Sequence, residues 1–154
     1  MENINTNIGL VGLGIIGSSI FRNIQSAGYK SSGFDIDEGS MSQLNNQGYK
    51  TTESIDDLIE NSNILITSLP NSKALDETFD AIIENKKSCI EVIIETSTLS
   101  LDCKLRNEKR AQNIGIAVLD CPISGTGKQA ETADIVLYAS GSEEAYEKAL
   151  PILD

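Results

Sequence analysis

Three glycines spaced G-x-G-x-x-G, set between an apolar run and an amphipathic one, constrain this chain more than any other feature. Ile8-Gly9-Leu10-Val11 is apolar without alternation, which predicts a strand buried on both faces. Gly12-Leu13-Gly14-Ile15-Ile16-Gly17 follows at once. Apolar residues at Ile16, Ile20, Ile24 and Ala27 then keep a helical spacing until Gly28 stops it. By itself the glycine pattern is weak; a strand before it and a helix after it give it meaning. Gly12 allows a tight turn, Gly14 lets a pyrophosphate approach the backbone, and Gly17 lets the helix pack closely. The helix start offers unpaired N–H groups and the positive end of its dipole to phosphates.

A second strand, Lys30 to Phe34, ends in Asp35. A carboxylate at about this distance from the glycines accepts hydrogen bonds from an adenosine ribose and repels the 2′-phosphate of NADP. The expected cofactor is therefore NAD, with NADP disfavoured by Asp35. Asp37 lies close enough to share the role or to be an ordinary turn residue.

The rest of the chain continues the alternation. Helices are expected over Gly39–Gln47, Ser54–Glu60, Ser72–Glu84, Leu99–Asn113 and Ser142–Leu150. Ser54 with Asp57 is an N-cap signature for the second of these. Strands are expected at Ile64–Leu69, closed by Pro70, and at Val92–Ile94, Ile116–Leu119 and Ile135–Ala139, with a short one at Tyr49–Thr52. Apolar strands alternating with helices imply an α/β fold with a doubly wound, mostly parallel sheet, a Rossmann-like arrangement over residues 1–154. No internal repeat or linker interrupts it.

Composition removes whole classes of function. The 154 residues carry 12 Lys and Arg against 23 Asp and Glu, a formal net charge of −11. That balance argues against nucleic acid and against a polybasic membrane anchor. The chain has no His, so zinc hydrolases and Ser-His-Asp triads are excluded, and no metal site is expected. Cys89, Cys103 and Cys121 are too few and too scattered for a disulfide framework, and they suit a reducing cytoplasm; Cys89 and Cys121 are expected to be partly buried. The N-terminus is polar and lacks a basic segment leading into an apolar run, so no signal peptide is expected, and no apolar run reaches membrane-spanning length.

Four stretches together resemble the β-hydroxyacid dehydrogenases, which include 3-hydroxyisobutyrate dehydrogenase and tartronate semialdehyde reductase. They are Ile8 to Tyr29, Ser68-Leu69-Pro70, Glu95-Thr96-Ser97-Thr98 and Asp120-Cys121-Pro122-Ile123-Ser124-Gly125. The resemblance implies that Gly12, Leu13, Gly14, Ile15, Ile16, Gly17, Asp35, Leu69, Pro70, Ala74 and Thr98 contact the cofactor, with Thr98 beside the nicotinamide half. It implies that Ser124, Gly125 and Thr126 hold the carboxylate of a small acid substrate. Read without it, Pro70 ends a strand, Thr98 caps a helix and Ser124-Gly125 is a turn.

The implied reaction is reversible hydride transfer between a β-hydroxy acid and the nicotinamide, assisted by a lysine on a helix leading to an all-helical second domain. In this chain that position would fall beyond Asp154, so no catalytic residue is expected among the 154; Lys128 and Lys148 are expected to be solvated. Loss of such a group alone costs about 10²–10⁴-fold in rate. The full-length enzyme is expected to be a homo-oligomer. Two alternatives stay open: a non-catalytic dinucleotide-binding module, and the cofactor domain of an imine or 6-phosphogluconate-type reductase. The chain departs from the family pattern where Thr126, Gln129 and Ala133 replace glycines, where Ile16 replaces methionine, Cys121 alanine and Glu95 aspartate.

Overall fold

The structure, a computed structural model, describes residues 6–153; residues 1–5 of the polar N-terminus and Asp154 lie outside it. Five strands run parallel: β1 (Asn7–Val11), β2 (Lys30–Phe34), β3 (Ile64–Thr67), β4 (Val92–Glu95) and β5 (Ala117–Asp120). β6 (Ile123–Ser124) and β7 (Val136–Leu137) form a separate antiparallel pair, and β8 (Ser140–Gly141) adds antiparallel to β5. The main sheet has the order β2-β1-β3-β4-β5-β8. Its direction reverses beside β1, which makes the crevice between β1 and β3 the switch point where such sheets hold ligands.

Seven helices cover it: α1 (Ile15–Ser26), α2 (Glu38–Asn46), α3 (Ile55–Glu60), α4 (Ser72–Glu84), α5 (Leu101–Gln112), α6 (Gly127–Glu131) and α7 (Glu143–Leu153). β1, β3, β4 and β5 are largely apolar because both faces are packed, whereas the edge strand β2, Lys-Ser-Ser-Gly-Phe, is mostly polar. Ile8, Leu10, Ile66 and Ile94 meet Phe21 and Ile24 of α1 and Ala145 and Ala149 of α7. The alternate residues Val11, Leu65, Ile93 and Val118 meet Leu58 of α3, Leu75 and Phe79 of α4 and Cys103 and Ala111 of α5. Each large apolar side chain stabilises by about 1.5–3 kcal/mol on burial. An exposed ion pair adds about 0–1 kcal/mol. Packing therefore sets where α4 and α5 lie, and the pairs Asp76–Arg106 and Asp80–Arg110 between them tune the alignment.

Several boundaries differ from those read in the sequence. Tyr49–Thr52 forms no strand; Thr51 makes a single bridge to Gly33. β3 stops at Thr67, because the Ser68 amide still reaches Val11 O while the Leu69 amide turns to the Ser97 hydroxyl at 2.8 Å. Of the expected strand Ile135–Ala139 only Val136–Leu137 forms, paired with Ile123–Ser124, and Ser140–Gly141, just beyond it, joins the main sheet. α5 begins at Leu101 with Ser100 as its N-cap, and α7 runs through Pro151 to Leu153. The short helix α6 has no counterpart among the expected elements. Ser54 caps α3 as anticipated, its hydroxyl accepting the Asp57 amide at 3.1 Å. Cys89 is exposed, not partly buried, whereas Cys121 is buried. Lys148 is exposed, as expected, and pairs on the surface with Glu144 at 3.1 Å. Among the described residues no helix is long and apolar enough to cross a membrane.

Candidate cofactor and substrate site

The five parallel strands end in one row: Phe34, Val11, Thr67, Glu95 and Asp120 stand opposite one another in register. Every candidate loop leaves from this carboxyl edge. The first, between β1 and α1, is built around glycine. Gly12 has φ +91°, its amide donates to Phe34 O at 3.0 Å, and a Cβ there would lie 2.1 Å from Ser68 O. A side chain is excluded by both conformation and contact. A Cβ on Gly17 would stand 1.9 Å from Gly12 O, so α1 rests directly on its own entry turn. Gly14, the N-cap of α1, differs: a Cβ there meets nothing within 4 Å. Empty space lies in front of this backbone.

The start of α1 also lacks a side-chain cap and an acidic residue in its first turn. Other helices supply their own: Asp37 for α2, Ser54 for α3, Asn71 for α4 and Thr126 for α6. The first N–H groups of α1 keep their hydrogen-bonding capacity for an anion. Leu13 is buried and Ile16 half-buried, whereas Ile15 is exposed. A Cβ on Gly127 of α6 would meet Ile15 Cγ2 at 2.5 Å, so Ile15 touches the candidate substrate segment.

Asp35 follows β2 and is held from two sides. Oδ2 accepts the Leu13 amide at 2.6 Å and Oδ1 accepts the Asp37 amide at 2.8 Å. One bond to each oxygen leaves acceptor capacity for hydroxyls. The carboxylate thereby ties the end of β2 to the glycine turn. Asp37 instead caps α2, accepting from the amides of Gly39 and Ser40 and from the Ser40 hydroxyl. Those bonds, the Ser40 hydroxyl's first, hold its carboxyl below the ordinary value of 3.8. Asp37, which the sequence left either to share the role of Asp35 or to be a turn residue, is thus the cap of α2.

Leu69 and exposed Pro70 follow β3, and Leu69 Cδ2 lies 3.3 Å from the Cβ position of Gly12. Ala74 sits in the first turn of α4, its amide capped by Asn71 at 2.9 Å. Thr98 is exposed beyond β4; because Ser100 caps α5, Thr98 is not its cap. Ser124 and Gly125 are exposed beyond β5, and Gly125 has φ +153° with Ile135 packed against it. Thr126 and Gln129 cap α6 reciprocally: the Thr126 amide donates to Gln129 Oε1 at 3.0 Å, and the Gln129 amide donates to Thr126 Oγ1 at 3.3 Å. The structure brings the glycine turn, Asp35 and Leu69 into direct contact. It joins Leu69 to the Thr98 loop through Ser97, and α1 to the Ser124 segment through Ile15 and the Asn23 amide on Ala130 O at 2.7 Å.

One cluster escaped the sequence reading. The Lys104 side chain on α5 is only 10% exposed; its Nζ donates to Asp120 Oδ1 at 2.5 Å and lies 2.9 Å from Glu95 Oε2. Burial pushes the Lys104 ammonium down, but the bonds and charges of Asp120 and Glu95 outweigh it and raise its pKa. Burial, helped by Asp120, pushes the neighbouring Cys121 thiol up to about 12. The available signal was helical spacing: Cys103, Asn107 and Ala111 mark the buried side of α5, and Lys104 adjoins it.

The comparisons agree with this geometry. The model for the NAD binding domain of 6-phosphogluconate dehydrogenase matches residues 7–154. The mitochondrial 3-hydroxyisobutyrate dehydrogenase of Drosophila melanogaster is 30% identical over 148 residues, covering 96% of this chain and 46% of that protein. The 2-(hydroxymethyl)glutarate dehydrogenase of Eubacterium barkeri is also 30% identical, covering 95% of this chain and 49% of that protein. Among solved structures, the 3-hydroxyisobutyrate dehydrogenase of Mycobacterium tuberculosis with L-serine superposes with a TM-score of 0.90 at 25% identity, over 97% of this chain and 51% of that one. The chain thus spans about half the length of the relatives it matches. It belongs to the family of the NAD binding domain of 6-phosphogluconate dehydrogenase, among the β-hydroxyacid dehydrogenases, and is an NAD(P)-binding domain.

Proposed function

We propose that residues 1–154 form the dinucleotide-binding domain of an oxidoreductase that moves hydride between a small β-hydroxy acid and a nicotinamide cofactor, with NAD preferred over NADP. The observation that carries the reading is the open space at Gly14, bounded by the uncapped start of α1 and by Asp35. In this reading the first amides of α1 receive the pyrophosphate. Asp35, already aimed by Leu13 and Asp37, accepts the hydroxyls of the adenosine ribose and repels a phosphate in their place. Leu69, Pro70 and Ala74 flank the cofactor from the β3 side, and Thr98 meets its nicotinamide half. The bound dinucleotide supplies the hydride chemistry. Ser124, Gly125 and Thr126 orient the acid through its carboxylate.

The three free cysteines suit a reducing, cytoplasmic setting. Calorimetric titration with each dinucleotide tests the reading. NAD is expected to bind more tightly than NADP, Asp35→Asn to narrow the gap, and Gly14→Val to remove binding while the fold persists. NADP binding as tight as NAD overturns the cofactor assignment, and unchanged affinity in Gly14→Val overturns the site.

A further inference from the structure

The ion cluster at the sheet's carboxyl edge has no part in the contacts proposed above, yet it lies directly behind them. Glu95 is 3% exposed and Lys104 10%. Glu95 uses its two oxygens differently. Oε1 accepts the Ser97 amide at 2.8 Å and the Thr67 hydroxyl at 3.4 Å, while Oε2 has Lys104 Nζ as its counter-ion and makes no other bond. Ser97 passes the constraint on, since its hydroxyl accepts the Leu69 amide at 2.8 Å. On the other side Lys104 holds Asp120, and the next amide, that of Cys121, donates to Glu95 O at 2.7 Å. A single ammonium on α5 therefore braces the ends of β4 and β5, and through Ser97 the loop after β3.

We infer that Lys104 is a positioning residue: by neutralising Glu95 it sets the Ser97–Leu69 link, and so fixes the loops carrying Leu69 and Thr98 in their cofactor-binding arrangement. This rests on the function proposed above. The charged groups around Glu95 are Lys104 on α5 and Asp120 on β5, with Glu108 of α5 on the wall of the same cavity of about 100 Å³. Removing the ammonium leaves a buried carboxylate whose Oε2 has no partner, and such a group moves to find water or another donor. Glu95 cannot move without releasing Ser97, and Ser97 holds Leu69.

The test is NAD titration of Lys104→Met and of the double variant Glu95→Gln/Lys104→Met, alongside amide spectra of the ligand-free proteins. Lys104→Met is expected to weaken NAD binding about tenfold, the worth of one misplaced charge-assisted bond, and to shift the Ser97 and Leu69 amides. The double variant removes both charges and keeps an amide oxygen for Ser97, so affinity returns to within about threefold of the original. Lower thermal stability in Lys104→Met with unchanged NAD affinity overturns the inference and leaves a structural brace. Should Lys104→Met not fold, Glu95→Gln alone decides. Its Ser97 amide proton is expected to move upfield with Leu69 following, and a Ser97 shift with Leu69 unmoved overturns the inference. Failure of the unsubstituted chain to bind NAD overturns the proposed function and this inference with it, whereas unaltered binding in Lys104→Met overturns this inference alone.

Discussion

Ala133→Gly is expected to stabilise the protein, against the usual direction for that exchange. Ala133 has φ +55°, the sole described non-glycine residue with positive φ. It closes α6 in the left-handed cap that helices usually give to glycine: its amide donates to Ala130 O at 3.2 Å, and the Asp134 amide reaches back to Gln129 O at 2.9 Å. Holding alanine there costs about 1–2 kcal/mol relative to glycine. Glycine's greater freedom in the unfolded chain returns about 0.4–1 kcal/mol of that. Ala133 is exposed, so little packing is lost, and the net gain is about 0.5–1 kcal/mol. For a chain of this size that raises the melting temperature by about 1–4 °C. Ala130→Gly supplies the contrast. Ala130 is fully buried in helical backbone against α1, and its replacement is expected to cost about 1–2 kcal/mol from helix propensity and the lost methyl. Thermal and urea melts of both variants read the opposite signs. A fall in stability for Ala133→Gly comparable to that for Ala130→Gly refutes the strain argument.

Three further outcomes are expected. Gly17→Ala places a methyl 1.9 Å from Gly12 O and costs about 1–3 kcal/mol in urea melts, whereas Gly14→Ala, facing open space, stays within about 0.5 kcal/mol; equal costs remove the distinction between the two glycines. A thiol reagent at neutral pH is expected to modify Cys89 fast and Cys103 and Cys121 only on unfolding, since Cys89 is exposed and the Cys121 thiol is pushed to about 12; rapid labelling of two sites contradicts the burial. Because the pKa of Lys104 is raised on folding, its contribution is complete below the ordinary lysine value of 10.5 and is lost as pH climbs through the higher folded value. Melting temperature against pH is therefore expected to fall less steeply above pH 10.5 in Lys104→Met, and parallel curves contradict the assignment.

Strong local patterns carried most of the fold. β2 and α4 appear with the expected bounds: α4 is long and apolar on the face it buries at Leu75, Phe79 and Ile82, and Asp35 and Asn85 follow the two elements as the residues that end them. The glycine turn was legible because its constraint is backbone geometry, and residue type reports backbone geometry directly. What the sequence hid is set by tertiary contact. β3 ends two residues early because Ser97, 28 positions away from Leu69, takes its amide. Ile135–Ala139 reads as one strand by composition but keeps only Val136–Leu137, the two residues that Ile123–Ser124 reaches, while the main sheet takes up Ser140–Gly141 beyond it. Lys104 looked like any lysine on a charged helix; its burial depends on Glu95 and Asp120 arriving from two other strands. Asp35 and Asp37 were indistinguishable by type, and the hydrogen bonds of the folded chain gave one to the glycine turn and the other to α2.

The three glycine replacements after Ser124 belong to one element. Thr126 and Gln129 form the reciprocal cap at the start of α6, and Ala133 takes the left-handed position at its end. With glycine at 126 and 129 neither side-chain bond could form, and the five residues of α6 would rest on backbone bonds and on contact with α1 alone. Side chains at these positions therefore trade loop freedom for a defined turn of helix against Ile15 and Asn23. The trade also changes what the segment offers a ligand. The amide and hydroxyl of Thr126 both point to Gln129 Oε1, at 3.0 and 3.1 Å. An acid carboxylate seeking those donors must displace the glutamine, or rely on the exposed Ser124 hydroxyl and the Gly125 backbone. If, as proposed, this segment holds the substrate acid, the side chains at 126 and 129 act on substrate choice through donors already engaged within α6.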